Sequence, residues 1–199
     1  MNIFNKKKIL VVSHDAGGAE VISSFIKKNN LKCFYRLSGP AVEIFKYKIK
    51  KLPKLNIKDD LDIIITGTSI KNRDELNAII YAKLKKIYSI SFLDHWVNYK
   101  KRFIRNRKTI LPNEIILGDK IAFKIAKKEF KNKKIKLTLR SNEYFNNLKK
   151  FKLNNTNKKI AFLSSNMDTV NFKFSDEYIL LKSLDKIYKF LKENKVNEI

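Results

Sequence analysis

The chain has two histidines, His14 and His95, and each stands beside an aspartate, as His14-Asp15 and Asp94-His95. Histidine suits general acid–base chemistry because its ordinary pKa of ~6.5 lies near neutral, and a neighbouring carboxylate fixes the tautomer and steadies the imidazolium. Adjacent side chains often point apart, so Asp94 is as good a candidate to orient His14 as Asp15 is. His14, Asp15, Asp94 and His95 therefore form the candidate catalytic set. A bland reading stands beside it, with His14 a hydrogen-bonding residue at a helix start and His95 packed in a core beside Trp96.

Gly17-Gly18 lets main-chain amides approach a ligand at a helix N-terminus, where the macrodipole favours an anion, or simply permits a tight turn. The pair fits neither G-x-G-x-x-G nor G-x-x-x-x-G-K-S/T, so the dinucleotide and P-loop fingerprints are excluded. Ser38-Gly39-Pro40 closes another apolar run, and Thr66-Gly67-Thr68-Ser69 offers hydroxyls to a sugar or phosphate or caps the next helix. Trp96, Asn98, Tyr99, Lys100, Lys101, Arg102, Phe103 and Arg105 mix cations with aromatic faces, which suits a phosphorylated or nucleotide ligand, RNA stacking, or a solvated loop. With one Cys and two distant His, no zinc site is expected, and no cofactor is implied. A G-x-S-x-G elbow is missing from the sequence.

The elements that hold these residues read as alternating strands and helices. Ile9-Leu10-Val11-Val12 is a continuous apolar run, followed by Ala19, Val21, Ile22, Phe25 and Ile26 at helical spacing. Residues 31–37 predict a second strand and 41–50 a helix. A β-branched strand over 61–66 stops at Gly67, as buried parallel strands do. Asn72 can cap a helix through about Lys86; strands follow over 87–93 and 114–117, with an irregular loop over 97–109 between them. Asp119 can cap a helix over 120–130, before a strand over 135–139 and a helix over 142–153. The polar stretch 152–159 reads as a linker, after which a strand over 160–165 and a helix over 176–193 restart the pattern.

The expected fold is α/β, Rossmann-like and doubly wound, with a mainly parallel sheet and helices on both faces. Residues 1–154 form its N-terminal domain, and 155–199 begin a second, incomplete α/β unit or fold back on the first. Ligands in such sheets bind at the carboxyl ends of strands where strand order reverses. That rule gathers Ser13 to Gly18, Ser38-Gly39-Pro40, Thr66-Gly67-Thr68-Ser69, Asp94-His95-Trp96 and Gly118-Asp119 into one candidate site.

The formal charge of +25 would ordinarily point to nucleic acid or an anionic membrane. Of the 44 basic residues only six are Arg, and the 38 Lys spread over nearly every segment, as a Lys-, Asn- and Ile-rich composition produces without a binding face. Nucleic acid is the weaker expectation; an anionic substrate or the inner face of the cell membrane is the stronger. Lone Cys33 in an apolar run predicts a reduced, buried, inert thiol. The sequence holds no apolar stretch of the ~20 residues needed to cross a bilayer, and residues 1–8 lack a signal-peptide core, so a cytoplasmic protein is expected.

A His just after the first strand, a polar linker near residue 155 and a second strand–loop start resemble the N-terminal half of GT-B glycosyltransferases and of related sugar-nucleotide 2-epimerases. Residues 9–18, Thr66-Gly67-Thr68 and Ser91-Phe92-Leu93-Asp94-His95-Trp96 carry the resemblance, over roughly residues 8–170. It implies that His14 deprotonates an acceptor hydroxyl while Asp94 or Asp15 orients it, in a surface-polysaccharide glycosyltransferase taking a nucleotide-sugar donor and a sugar or lipid-linked acceptor. In that family the donor is held mainly by a second domain, which needs about 100 residues more than follow the linker here. A non-catalytic binding module for a phosphorylated ligand or RNA, and a 2-epimerase-like enzyme, are the competing expectations.

Overall fold

A computed structural model describes residues 3–53, 60–148, 189–190 and 192–194. In chain order these give β1 (Ile9–Ser13), α1 (Ala16–Lys28), β2 (Cys33–Leu37), α2 (Ala41–Lys48), β3 (Ile63–Thr66), α3 (Asp74–Leu84) and β4 (Tyr88–Leu93). A 3-10 turn (Lys100–Phe103) and the short strands β5 (Ile104–Arg105) and β6 (Lys108–Thr109) precede β7 (Glu114–Leu117), α4 (Lys120–Glu129), β8 (Lys136–Leu139) and α5 (Glu143–Leu148). The contact pattern divides the chain into units Met1–Phe151 and Lys152–Ile199. The strand expected over 160–165 and the linker over 152–159 lie outside the described residues. Of the helix expected over 176–193, residues 189–190 and 192–193 are described and are helical.

Six strands build one sheet in the order β2-β1-β3-β4-β7-β8, every pairing parallel. Such a sheet needs cover on both faces, which is why its strands are apolar at consecutive positions. Ile9, Val11, Ile63, Ile65, Ile90, Phe92 and Ile116 turn to one face, under Ala19, Ile22 and Phe25 of α1 and Phe45 of α2. The alternate residues face the other way: Leu10, Val12 and Ile64 meet Ala82 of α3, while Ile115 and Leu117 meet Ala122 and Ala126 of α4. Helices α1, α2 and α5 thus cover one face and α3 and α4 the other, giving the doubly wound, Rossmann-like α/β fold expected.

Glu114 and Cys33 are among the polar groups buried in this frame. Glu114, buried in β7, accepts from Tyr88, Lys136 and Thr138 on its two neighbouring strands, and these donors hold its carboxyl below the usual carboxylate range against the opposing effect of burial. Cys33 is buried in β2, and desolvation pushes its thiol up to about 12, so almost none is thiolate at neutral pH.

The segment over 97–109 departs from the irregular loop expected. It holds the 3-10 turn and the antiparallel β5–β6 ladder, with Tyr99 and Phe103 buried against Phe130 at the end of α4. A single 3-10 turn and a two-residue ladder are too short to impose a period on the sequence.

Ile90 is fully buried at the centre of the sheet. Replacing it with alanine removes three carbons and leaves a cavity, so Ile90→Ala should lower the unfolding free energy by about 2–5 kcal/mol, read from the urea midpoint.

Candidate functional site

From β1 the chain passes to β2 on one side, whereas β3 lies on the other. Strand order reverses there, and the loops after β1 and β3 diverge from neighbouring strand ends. Glu75, the second residue of α3, fills the gap between them. Its side chain is almost wholly buried; Oε1 accepts the His14 main-chain N–H at 3.0 Å, and Oε2 accepts that of Ser69. Gly67 passes so close that a Cβ on it would overlap the carboxyl group.

Burial pushes the Glu75 carboxyl up to about 7; its two main-chain donors oppose that shift, and the charges of Asp15 and Asp94 add to it. A cation stands in the same neighbourhood. Arg102 is buried at 6% exposure, donates from Nη1 to the Thr68 carbonyl at 2.6 Å, and feels the charges of Asp94, Asp15 and Glu75. Desolvation nevertheless leaves its guanidinium below its usual basicity. The main-chain oxygen of Asn98, at positive φ, accepts from the Arg102 amide and opens the 3-10 turn that carries it.

His14 is a quarter exposed, with Nδ1 3.0 Å from Ser38 Oγ, which donates in turn to Asp74 Oδ2 at 3.3 Å. Because the serine hydrogen is committed to the carboxylate, Oγ presents a lone pair to the ring and the Nδ1–H tautomer is the one that fits. Nε2 is then the basic nitrogen, 3.8 Å from Asp15 Oδ1. Gly39 beside it has φ +54°, and any Cβ there would run into the His14 ring, so the turn after β2 requires glycine twice over.

Asp94 lies against the start of α1, where a Cβ on Gly17 would overlap its carboxylate. An anion at that end of a helix is favoured, and Asp15, the residue flanking α1, makes no side-chain cap of its own. Gly18 is buried against the Gly67 backbone in the same turn. His95 is nearly half exposed, with Nε2 3.6 Å from Asp94 Oδ2, so it is no packed core residue. Trp96 is 58% exposed and donates from Nε1 to Asp119 Oδ2 at 2.9 Å, while the other oxygen of Asp119 caps α4 at Ala122.

The structure therefore brings His14, Asp15, Gly17, Gly18, Ser38, Gly39 and Asp94 together, and adds Asp74 and Glu75. Other expectations change. Thr66 bonds Ser91 inside the sheet and Thr68 reaches the Phe92 carbonyl, so both hydroxyls are buried and brace neighbouring strands. Tyr99 and Phe103 are buried, which leaves Trp96 as the exposed aromatic of this stretch. Among the described residues, no cluster of three or more His, Cys, Asp and Glu is arranged to hold a metal ion. Nor is any helix among them long and apolar enough to cross a membrane.

No family model matches the chain, and no match is found among curated proteins or solved structures.

The Glu75 site has a pH signature. Between pH 4.5 and about 7 the folded protein keeps a proton that the unfolded chain has released. The stability this provides is full below pH 4.5 and is lost as pH rises through about 7. From pH 4 to pH 8, the unfolding free energy of Glu75→Gln should therefore gain about 3 kcal/mol on that of the wild type, measured by urea unfolding at each pH.

Proposed function

We propose that this chain carries the acceptor-side half of a glycosyltransferase site, with His14 as the general base. The observation that supports it best is the Asp74–Ser38–His14 relay, which fixes the ring and leaves Nε2 as the basic nitrogen. In this reading Nε2 takes the proton from an acceptor hydroxyl. The oxygen attacks the anomeric carbon of a nucleotide sugar; the bond from that carbon to phosphate breaks, and the nucleotide leaves with the electron pair. Asp15, close to Nε2, then steadies the imidazolium.

Charge favours a hydroxyl-bearing ligand over a phosphorylated one at this spot. The Asp15 side chain is partly exposed here, with Asp94 beside it and both acting on the buried Arg102, and a carboxylate accepts hydrogen bonds from sugar hydroxyls while repelling phosphate. Exposed Trp96 adds an apolar face against which a sugar ring can lie.

The test uses purified protein with a panel of nucleotide sugars and sugar or lipid-linked acceptors. His14→Gln should lower turnover by about 10²–10⁴-fold with an unchanged unfolding midpoint, and Ser38→Ala by a smaller factor, as a positioning residue. Conversion of a nucleotide sugar with no acceptor present would favour the epimerase-like reading. Wild-type protein that turns over no donor, yet binds a phosphorylated ligand equally well with or without His14, would overturn catalysis.

A further inference from the structure

A cavity of about 650 Å³ opens beside α3, on the face of the sheet opposite α1 and α2. Its origin lies in the layering. Both α1 and α2 pack on the far face of β1 and β2, while on this side α3 covers β1, β3 and β4 and α4 lies over β7 and β8. Buried Leu10, Val12 and Ile64 lie at its base, and its accessible apolar surface comes from Leu61 and from Ala78 and Tyr81 of α3. Its volume falls within the ~300–1,000 Å³ of ordinary small-ligand sites.

The polar groups gather at the end nearest the strand carboxyl termini. Arg36 pairs in register with Val12, so its side chain leaves β2 on the cavity side, where it is exposed. Asn77 lines the same end and accepts from Arg105 Nη1 at 2.6 Å, which adds a second guanidinium. Against these two cations stands one carboxylate, Asp74, already engaged by Ser38. The mouth is net positive and carries planar donors suited to a two-oxygen anion.

We propose that this cavity binds a single-chain anionic amphiphile, its apolar chain along Leu61, Ala78 and Tyr81 and its anionic head at Arg36 beside Arg105. The ligand class follows from an apolar body ending in guanidinium groups. The proposal stands apart from the transferase reading, because the cavity meets the His14 relay only at Asp74.

Calorimetric titration of the full chain with dodecyl phosphate, kept below its micelle concentration, tests the idea. One saturable site is expected, with dodecyltrimethylammonium binding at least about tenfold more weakly. Arg36→Glu, at an exposed position, should weaken dodecyl phosphate about tenfold without moving the unfolding midpoint, and Ala78→Phe should block it by filling the cavity. His14→Gln should leave binding intact even where turnover is lost. Equal affinity for the cationic analogue, indifference to Arg36→Glu, or absence of a saturable site would overturn the proposal. So would light scattering that shows a dimer lost in Ala78→Phe, which would assign the cavity to a second copy of the chain.

Discussion

One carboxylate holds the two sides of this site in register. At the carboxyl ends of β1 and β3 the main chain leaves the sheet with N–H groups that have no strand partner, at a place where water is excluded. Two unpaired amides there would cost about 1–3 kcal/mol each. Glu75 satisfies both, and because it belongs to α3 it ties a helix on one face to two strand ends at once. Everything proposed for His14 depends on this: the ring that presents Nε2 belongs to a residue whose backbone is fixed by that bond.

A carboxylate in such a place needs company. Arg102 supplies a positive charge from the far side, and burying Tyr99 and Phe103 is what brings its 3-10 turn inward. The segment between β4 and β7 is therefore part of the site's electrostatics rather than a decoration on its rim. The three acids favour the charged form of the buried guanidinium, while Asp15 and Asp94 join burial in favouring the protonated form of Glu75.

The sheet was readable from residue order because its strands are buried on both faces. Continuous runs such as Ile63-Ile64-Ile65 declare themselves, and the glycines and hydroxyls after them mark the ends. His14 and His95 could be placed at strand ends on that basis. Asp74 and Glu75 were not picked out, since two acids in the first turn of a helix have an ordinary explanation in the macrodipole. The signal was present all the same: Glu75, Ile79 and Ala82 share the buried stripe of α3, and a carboxylate on an apolar stripe requires a partner. Arg102 was hidden for a different reason. It sits among Lys100, Lys101 and Arg105, which are exposed, and only the folding of Tyr99 and Phe103 separates it from them.

The contact between Gly17 and Asp94 ties together two positions far apart in sequence. There is room at that point for one side chain, and it is the one on β4's loop. A lineage that gains a side chain at position 17 must therefore shorten or swing aside the residue at 94 in step. The helix start would then lose the anion lying against it, and drift at one position would be written into the other.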